Sequence, residues 1–309
     1  MRNRPRVTVL GSLNMDISVT VPRLPAPGAT VLGSAARFTP GGKGANQAVA
    51  AARLGASVHM AGCVGDDDFG RQLLAALRAE KVDTGGVRVT DSAPTGLAMI
   101  SVDQAGENII TVAPGANHET GAAEVRAALS EPRSVLVVCA EIRAEAIVAA
   151  LARHRVSILN LAPAPADAAA IVAGARPDWL VVNENEAGAV LGRPVSGLSE
   201  AAQAAVALID AGARHAVVTA GAHGAALADG PGSAETVQAF RVEAVDTVGA
   251  GDTFVGALAV TLAAGVPAAE AVRAAAAAGA TAATRPGAQV GMPRPEDIRA
   301  VTGLTWPVR

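Results

Sequence analysis

Ala244-Val245-Asp246-Thr247-Val248-Gly249-Ala250-Gly251-Asp252-Thr253-Phe254 leads from a short extended run into a helix through a glycine-rich turn. Asp252 falls in the first turn of that helix. The first N–H groups of a helix have no intrahelical acceptor, and with the helix dipole they form a ready anion site. Like charges repel, so a carboxylate beside a bound anion needs a reason. One reason is that it takes a proton from a group attacking that anion, the arrangement that phosphoryl transfer to a hydroxyl requires. The other reading is an acid placed at a helix N-terminus because the dipole favours it. Gly249 and Gly251 weaken a helix start, a cost that is explained if a ligand must reach the backbone.

On either side of this turn, short apolar runs predict buried strands at Val7–Leu10, Val135–Ala140, Val156–Leu161, Trp179–Val182 and Ala216–Thr219, with another at Ala225–Ala228. Helical patterns fall at Ala45–Leu54, Gly70–Glu80, Ala122–Leu129, Ala144–His154, Glu184–Leu191 and Leu198–Ala211. Two closing helices, about Ala250–Ala264 and Pro267–Thr284, follow with no strand between them. The alternation predicts an α/β sheet with right-handed crossovers. Asp16–Val21, Thr30–Phe38, Leu97–Val102 and Asn108–Val112 instead have period-two character with no helix after them. Asp103-Gln104-Ala105-Gly106-Glu107 joins two of these as a hairpin turn. Pro22-Arg23-Leu24-Pro25-Ala26-Pro27-Gly28 joins the other two. The four segments predict a small separate sheet, built from two excursions at about 14–39 and 95–113, that covers a cleft or pairs with a second copy.

The chain has 309 residues, half of them hydrophobic, enough for one large domain with a small appendage. Its net charge is −3 and it has no basic stripe, which argues against a nucleic-acid partner. Lys43 and Lys81 are the only lysines. Cys63 and Cys139 lie in apolar runs and read as buried thiols of a reduced compartment. The five histidines lack metal-ligand spacing. Arg2, Arg4 and Arg6 precede Val7-Thr8-Val9-Leu10, an apolar run too short for an export signal. Gly, Arg or Glu interrupts every Ala-rich stretch, so no membrane span is predicted. The expectation is a soluble cytoplasmic protein.

Four further segments carry candidate chemistry. Pro40-Gly41-Gly42-Lys43-Gly44-Ala45-Asn46 opens a helix, and its glycines allow close backbone approach to a ligand. Lys43 adds a charge and Asn46 an amide; the spacing is not that of a Walker A loop. An ordinary loop before a helix is the competing reading. Gly11-Ser12-Leu13-Asn14-Met15-Asp16 begins where the first strand ends, the place where α/β sheets hold ligands. Asp16 there suits a vicinal diol, or serves as a turn residue or cap. Asn183-Glu184-Asn185-Glu186 follows a buried strand. It suits a hydrated Mg²⁺, or a capping box with Asn183 as N-cap and Glu186 three residues on; both can hold at once. Thr219-Ala220-Gly221-Ala222-His223-Gly224 is a small turn at another strand end that would admit a flat base or polyphosphate, or simply lead into the next strand.

The chain resembles the ribokinase-like family of carbohydrate and nucleoside kinases almost end to end. The most specific pieces are Gly41-Gly42-Lys43-Gly44-Ala45-Asn46-Gln47-Ala48, and Val245-Asp246-Thr247 followed by Gly249-Ala250-Gly251-Asp252-Thr253-Phe254. Gly11-Ser12 with Asn14 and Asp16, Asn183 with Glu186, and Thr284-Arg285 with Gly287-Ala288-Gln289 follow in the right order. The resemblance implies one kinase domain over 1–309: a doubly wound, mostly parallel sheet flanked by helices, with a small β-sheet lid that pairs in a homodimer. It implies that Asp16 holds two ribose hydroxyls and that Asn14, Gly42, Lys43, Gly44, Ala45, Asn46 and Glu141 also face the sugar. Asp252 is then the general base, and Gly249, Ala250 and Gly251 the anion hole. Asn183 and Glu186 would lie near the ATP phosphates and Mg²⁺. Thr219, Ala220, Gly221, Ala222, His223, Gly224 and Ala276 would line the nucleotide site, which Gly251 and Asp252 border. A K⁺ site would use Asp246, Val248, Ala282, Arg285, Gly287 and Gly291, mostly through carbonyls. Gly291 departs from relatives with serine there, so a hydroxyl ligand is lost while the carbonyl remains.

The function implied is phosphorylation of D-ribose at O5 by ATP. Deoxyribose, fructose, a ketodeoxy sugar acid or a nucleoside are the rival substrates within the family. A non-catalytic sugar-binding protein is the rival of another class, against which the retained Asp252 turn argues. A dinucleotide-dependent oxidoreductase would need G-x-G-x-x-G after a strand, which is absent.

Overall fold

The computed structural model describes residues 4–308, so Arg2 of the basic N-terminal group lies outside the described residues. In chain order the strands are β1 (Arg6–Leu10), β2 (Asn14–Thr20), β3 (Arg37–Gly41), β4 (Ser57–Gly65), β5 (Asp83–Thr90), β6 (Gly96–Val102), β7 (Asn108–Ala113), β8 (Val135–Cys139), β9 (Ser157–Asn160), β10 (Trp179–Asn183), β11 (His215–Thr219), β12 (Gly224–Ala228) and β13 (Glu235–Gln238). The helices are α1 (Lys43–Arg53), α2 (Asp68–Ala79), α3 (Ala122–Ala128), α4 (Ala144–Leu151), α5 (Ala168–Ala175), α6 (Glu184–Leu191), α7 (Gly197–Asp210), α8 (Ala250–Ala263), α9 (Ala268–Ala282), α10 (Ala288–Gly291) and α11 (Pro295–Thr302).

Nine strands form one sheet in the order β13-β12-β11-β10-β9-β8-β1-β4-β5. It is parallel from β11 to β5, and β12 and β13 run antiparallel at one edge. The apolar runs at β1, β8, β9 and β10 are buried on both faces, as a helix-covered parallel sheet requires. One face packs on α1, α2, α8, α9 and α11, the other on α3 to α7. The chain leaves β1 for β4 on one side and takes β8 on the other, so β1 is the point where strand order reverses. The carboxyl ends of β1, β8, β9, β10 and β11 open there onto one crevice. This is the doubly wound α/β architecture expected. Among the described residues no helix is long and apolar enough to cross a membrane.

Several elements differ from expectation. β4 and β5 were not predicted: Gly62 and His59 interrupt the pattern of β4, and Gly85 and Gly86 that of β5. α5 is alanine-rich and apolar on every side, so it offers no amphipathic stripe. β3 covers Arg37–Gly41 rather than Thr30–Phe38, because its register pairs Asn14 with Gly41 and Ser18 with Arg37. Residues 22–36 carry Pro22, Pro25, Pro27, Gly28 and Gly33 and are mostly exposed without strand structure.

β3, β2, β6 and β7 form a separate four-stranded sheet in that order. β2 and β6 pair in parallel, and the outer pairs are antiparallel. The 103–107 hairpin turn is present, with Asp103 N donating to Glu107 O at 2.9 Å and Gly106 at φ 87°. β2 follows closely on β1, and β3 leads directly into α1, so this sheet joins the main domain beside the end of β1. Phe38 of β3 stacks on Phe69 of α2 with ring centroids 5.9 Å apart, tying the small sheet to the main domain.

Candidate active site

The 244–254 stretch folds as its spacing suggests. Gly249 caps α8 at φ 78°, a left-handed conformation open to glycine. A Cβ there would stand 2.9 Å from Ala288 Cα, so the residue must be small as well as left-handed. Ala250 N turns back to Thr247 O at 3.2 Å, and Thr253 N donates to Gly249 O at 2.8 Å. α8 presses on α1 through Gly256, whose Cβ would meet the Ala50 methyl at 2.7 Å and Gln47 O at 2.8 Å.

That close contact brings Asp252, which is 7% exposed, against the start of α1. Asn46 Nδ2 donates to Asp252 Oδ2 at 2.9 Å, and Gln47 Nε2 donates to Oδ1 at 3.1 Å. Gln47 Nε2 also reaches Asn160 Oδ1 at 2.9 Å, and Gln289 Nε2 reaches Asn46 Oδ1 at 3.1 Å. Gln47 and Asn160 carried no role in the sequence reading. The signals were there: an amide within an alanine-rich helix, and an amide ending a buried strand.

Gly42 caps α1 at φ 88° and lies against Leu13 and Asn14. A Cβ at Gly41 would overlap the Asp16 carboxylate, and one at Gly44 would stand 2.7 Å from Gly11 C. The glycines thus bring the start of α1 against the end of β1 and the first residues of β2. Asn14 and Asp16 belong to the small sheet itself, whereas Lys43, Asn46 and Asp252 belong to the main domain. Asn117, another amide that the sequence did not flag, orients Asn14: its Nδ2 donates to Asn14 Oδ1 at 2.7 Å, and its Oδ1 accepts Leu13 N at 2.9 Å. Glu141 follows β8, takes a short hydrogen bond from Ser12 Oγ, and accepts Lys43 N at 3.3 Å.

The carboxylates of Asp16, Glu141, Asp252 and Glu186 all feel the charge of one ammonium group, that of Lys43. Burial, reinforced by the charges of Glu141 and Asp252, pushes the Asp16 carboxyl up to about 7, with Lys43 pulling the other way. Burial also raises Glu141, against the Ser12 hydrogen bond and Lys43. The Asp252 charge lifts Lys43 above the usual ammonium range, opposed by burial and assisted by Glu141 and Glu186.

A cavity of about 190 Å³ joins this cluster to the strand ends beyond it. Lys43, Asp252 and the 249–251 turn line one side, and Asn160, Glu186 and Thr219 the other. Asn183 and Glu186 form a full capping box at α6: Asn183 N donates to Glu186 Oε2 at 2.8 Å, and Glu186 N to Asn183 Oδ1 at 2.9 Å. Burial raises the Glu186 carboxyl, held back first by the Asn183 N–H and then by Lys43. Glu184 turns away and accepts Gly197 N at 2.5 Å. The 219–224 segment makes a tight turn into β12, with Ala220 N on Gly224 O at 2.8 Å and His223 exposed. Ala276 lies half-buried on α9.

Asp246 closes the loop before α8, accepting Val248 N at 2.9 Å and Gly287 N at 2.8 Å. A Cβ at Gly291 would stand 3.2 Å from Arg285 O and 3.4 Å from Ala282 O, so two carbonyls converge on the space that glycine leaves open. The Arg285 side chain points elsewhere, pairing with Asp297 at 2.7 Å. Among the described residues, no three His, Cys, Asp or Glu side chains gather as metal ligands.

Residues 4–295 match the pfkB family of carbohydrate kinases. The chain is 39% identical to a ribokinase of Schizosaccharomyces pombe over 277 residues, 84% of this chain and 86% of that one. It is 34% identical to a deoxyribokinase of Salmonella typhi over 82% of this chain and 84% of that one. The solved structure of Arabidopsis thaliana ribokinase complexed with ribose and ATP is similar to it at TM-score 0.83 and 28% identity, covering 97% of this chain and 99% of that one.

Proposed function

The chain belongs to the pfkB family of carbohydrate kinases, and from that membership we propose that it transfers the γ-phosphoryl group of ATP to O5 of D-ribose. The observation that carries the reading is the Asp252 carboxylate. It is fixed by Asn46 and Gln47 at a helix start and opens onto the cavity shared by Lys43, Glu186 and Thr219. Asp252 accepts the O5 proton as that oxygen bonds to the γ-phosphorus. The bond from phosphorus to the bridging oxygen breaks and ADP leaves. The N–H groups at the start of α8 meet the charge on the phosphoryl oxygens. Asp16 accepts the hydrogens of two ribose hydroxyls, with Asn14, Lys43, Asn46 and Glu141 around the ring. Preference for ribose over deoxyribose follows from Asp16, which loses one of its two hydroxyl partners on deoxyribose.

The nucleotide occupies the side of the cavity formed by Asn183, Glu186 and the 219–224 turn, with Ala276 behind it. Glu186 spends one carboxylate oxygen on its cap, so a Mg²⁺ beside it would keep mostly water and phosphate oxygens, as Mg²⁺ prefers. Bound there, Mg²⁺ neutralises phosphate charge. The carbonyls of Ala282 and Arg285, with Asp246, Val248, Gly287 and Gly291, would hold a K⁺, whose charge would help fix the shape of the 246–249 loop. Both cysteines are buried and free, which supports a reduced compartment such as the cytoplasm.

An assay coupling ADP release to sugar addition tests this reading, run with ribose, deoxyribose and fructose, and with K⁺ exchanged for Na⁺. Ribose is expected to give the highest kcat/KM, and K⁺ more turnover than Na⁺. Asp252→Asn is expected to fold, bind ribose and lose about 10²–10⁴ in turnover. Loss under tenfold would remove Asp252 from the chemistry.

A further inference from the structure

We infer that Gln47 is a positioning residue for the Asp252 carboxylate, an inference that rests on the reading of Asp252 as proton acceptor. Gln47 has no exposed surface. Its Nε2 carries two hydrogens and meets two acceptors, Asp252 Oδ1 at 3.1 Å and Asn160 Oδ1 at 2.9 Å. Asn160 Nδ2 donates in turn to Val181 O at 3.2 Å, so the chain of amides ends on the backbone of β10 in the middle of the sheet. Two acceptors on one nitrogen fix which way the Gln47 amide faces. The consequence is that Gln47 Oε1 is left buried with no partner among the described residues. Unpartnered buried carbonyls are uncommon because they destabilise the fold. A side chain present only to fill space would be apolar here, like its neighbours Ala48, Val49 and Ala50.

The other oxygen, Asp252 Oδ2, is held by Asn46, which also faces the sugar side. The Gln47 bond therefore ties the carboxylate to the sheet and not to the substrate. It fixes the rotation of the carboxylate plane, so that the free lone pairs point into the cavity before sugar arrives. Misaligning a reacting group by about 1 Å can cost about a hundredfold in rate.

The test is a double-mutant cycle. Gln47→Met keeps the length of the side chain and removes the donor. It is expected to lower kcat about 10- to 100-fold, with the ribose KM within about twofold and the melting temperature somewhat lower, since one unpartnered carbonyl disappears while two buried acceptors lose their donor. In an Asp252→Asn background the same substitution is expected to cost less than about threefold, because no base remains to align. Wild-type kcat in Gln47→Met overturns the inference, as does a loss confined to KM. An equal loss in both backgrounds overturns it too, since Gln47 would then act apart from residue 252. If Asp252→Asn alone keeps activity within tenfold of wild type, the base reading falls and takes this inference with it; the single variants thus separate the two failures. Should Gln47→Met not fold, Asn160→Ala removes the second anchor: lower kcat at unchanged KM supports the inference, and unchanged kcat overturns it.

Discussion

Asp16 faces Glu141 and Asp252 with only Lys43 to balance them, and its carboxyl is pushed up to about 7, first by burial and then by those charges. The ionised carboxylate accepts both hydrogens of a diol, whereas the protonated acid has one oxygen occupied by its own hydrogen. Ribose affinity should therefore fall by up to about tenfold per pH unit below 7 and level off above about 8. Calorimetry across pH 5.5–8.5 reads this directly, and Asp16→Asn should flatten the profile. Stability has the opposite sign. The native carboxyl keeps its proton to about 7 while the unfolded chain loses it near 3.8, so the native state binds more protons in that window. Stability from this group is lost as pH climbs from about 4 to about 7, and it stays lost above. Asp16→Asn should therefore raise the melting temperature at pH 8 and leave it unchanged near pH 4. A variant no more stable than wild type at pH 8 would show that burial does not penalise this charge.

Gly42 is where the small sheet joins α1. At φ 88°, with Asn14 N 2.6 Å and Leu13 Cα 2.9 Å from where a Cβ would stand, it admits no side chain without moving β2 or α1. Gly42→Ala should cost about 1–3 kcal/mol of stability and raise the ribose KM well beyond the ATP KM; equal rises in both would mean the joint does not set the sugar side. This join was legible, since three glycines around a lysine before a helix announce close approach. So was the α6 cap, because Asn183 and Glu186 have capping-box spacing. What was hidden depends on distance along the chain. Gln47 meets Asn160 across 113 residues and Asp252 across 205, and no local pattern encodes such a meeting. β4 and β5 were hidden differently: their glycines fit between packed neighbours, as Gly62 does against Gly11 O, and so read locally as breaks.

The small sheet also leaves apolar surface uncovered. Ile110 and Val112 of β7 are 53% and 41% exposed. The register Asp16–Ala98–Val112 puts them on the same side of the sheet as Asp16. Pairing of two such sheets would cover this surface and close the outer rim of the sugar site together. If two copies pair through this sheet, Ile110→Lys should yield a monomer by sedimentation equilibrium and weaken ribose binding; a wild-type sedimentation profile would place any interface elsewhere.

The seam between α1 and α8 has no room for even one methyl at Gly256. It works as a spacer of fixed thickness, holding Asp252 on one helix at a set distance from the Asn46 and Gln47 amides on the other. Laboratory evolution toward new sugars should accordingly find tolerated changes on the covering sheet and almost none along this seam. Thickening it would detune phosphorylation of every sugar alike.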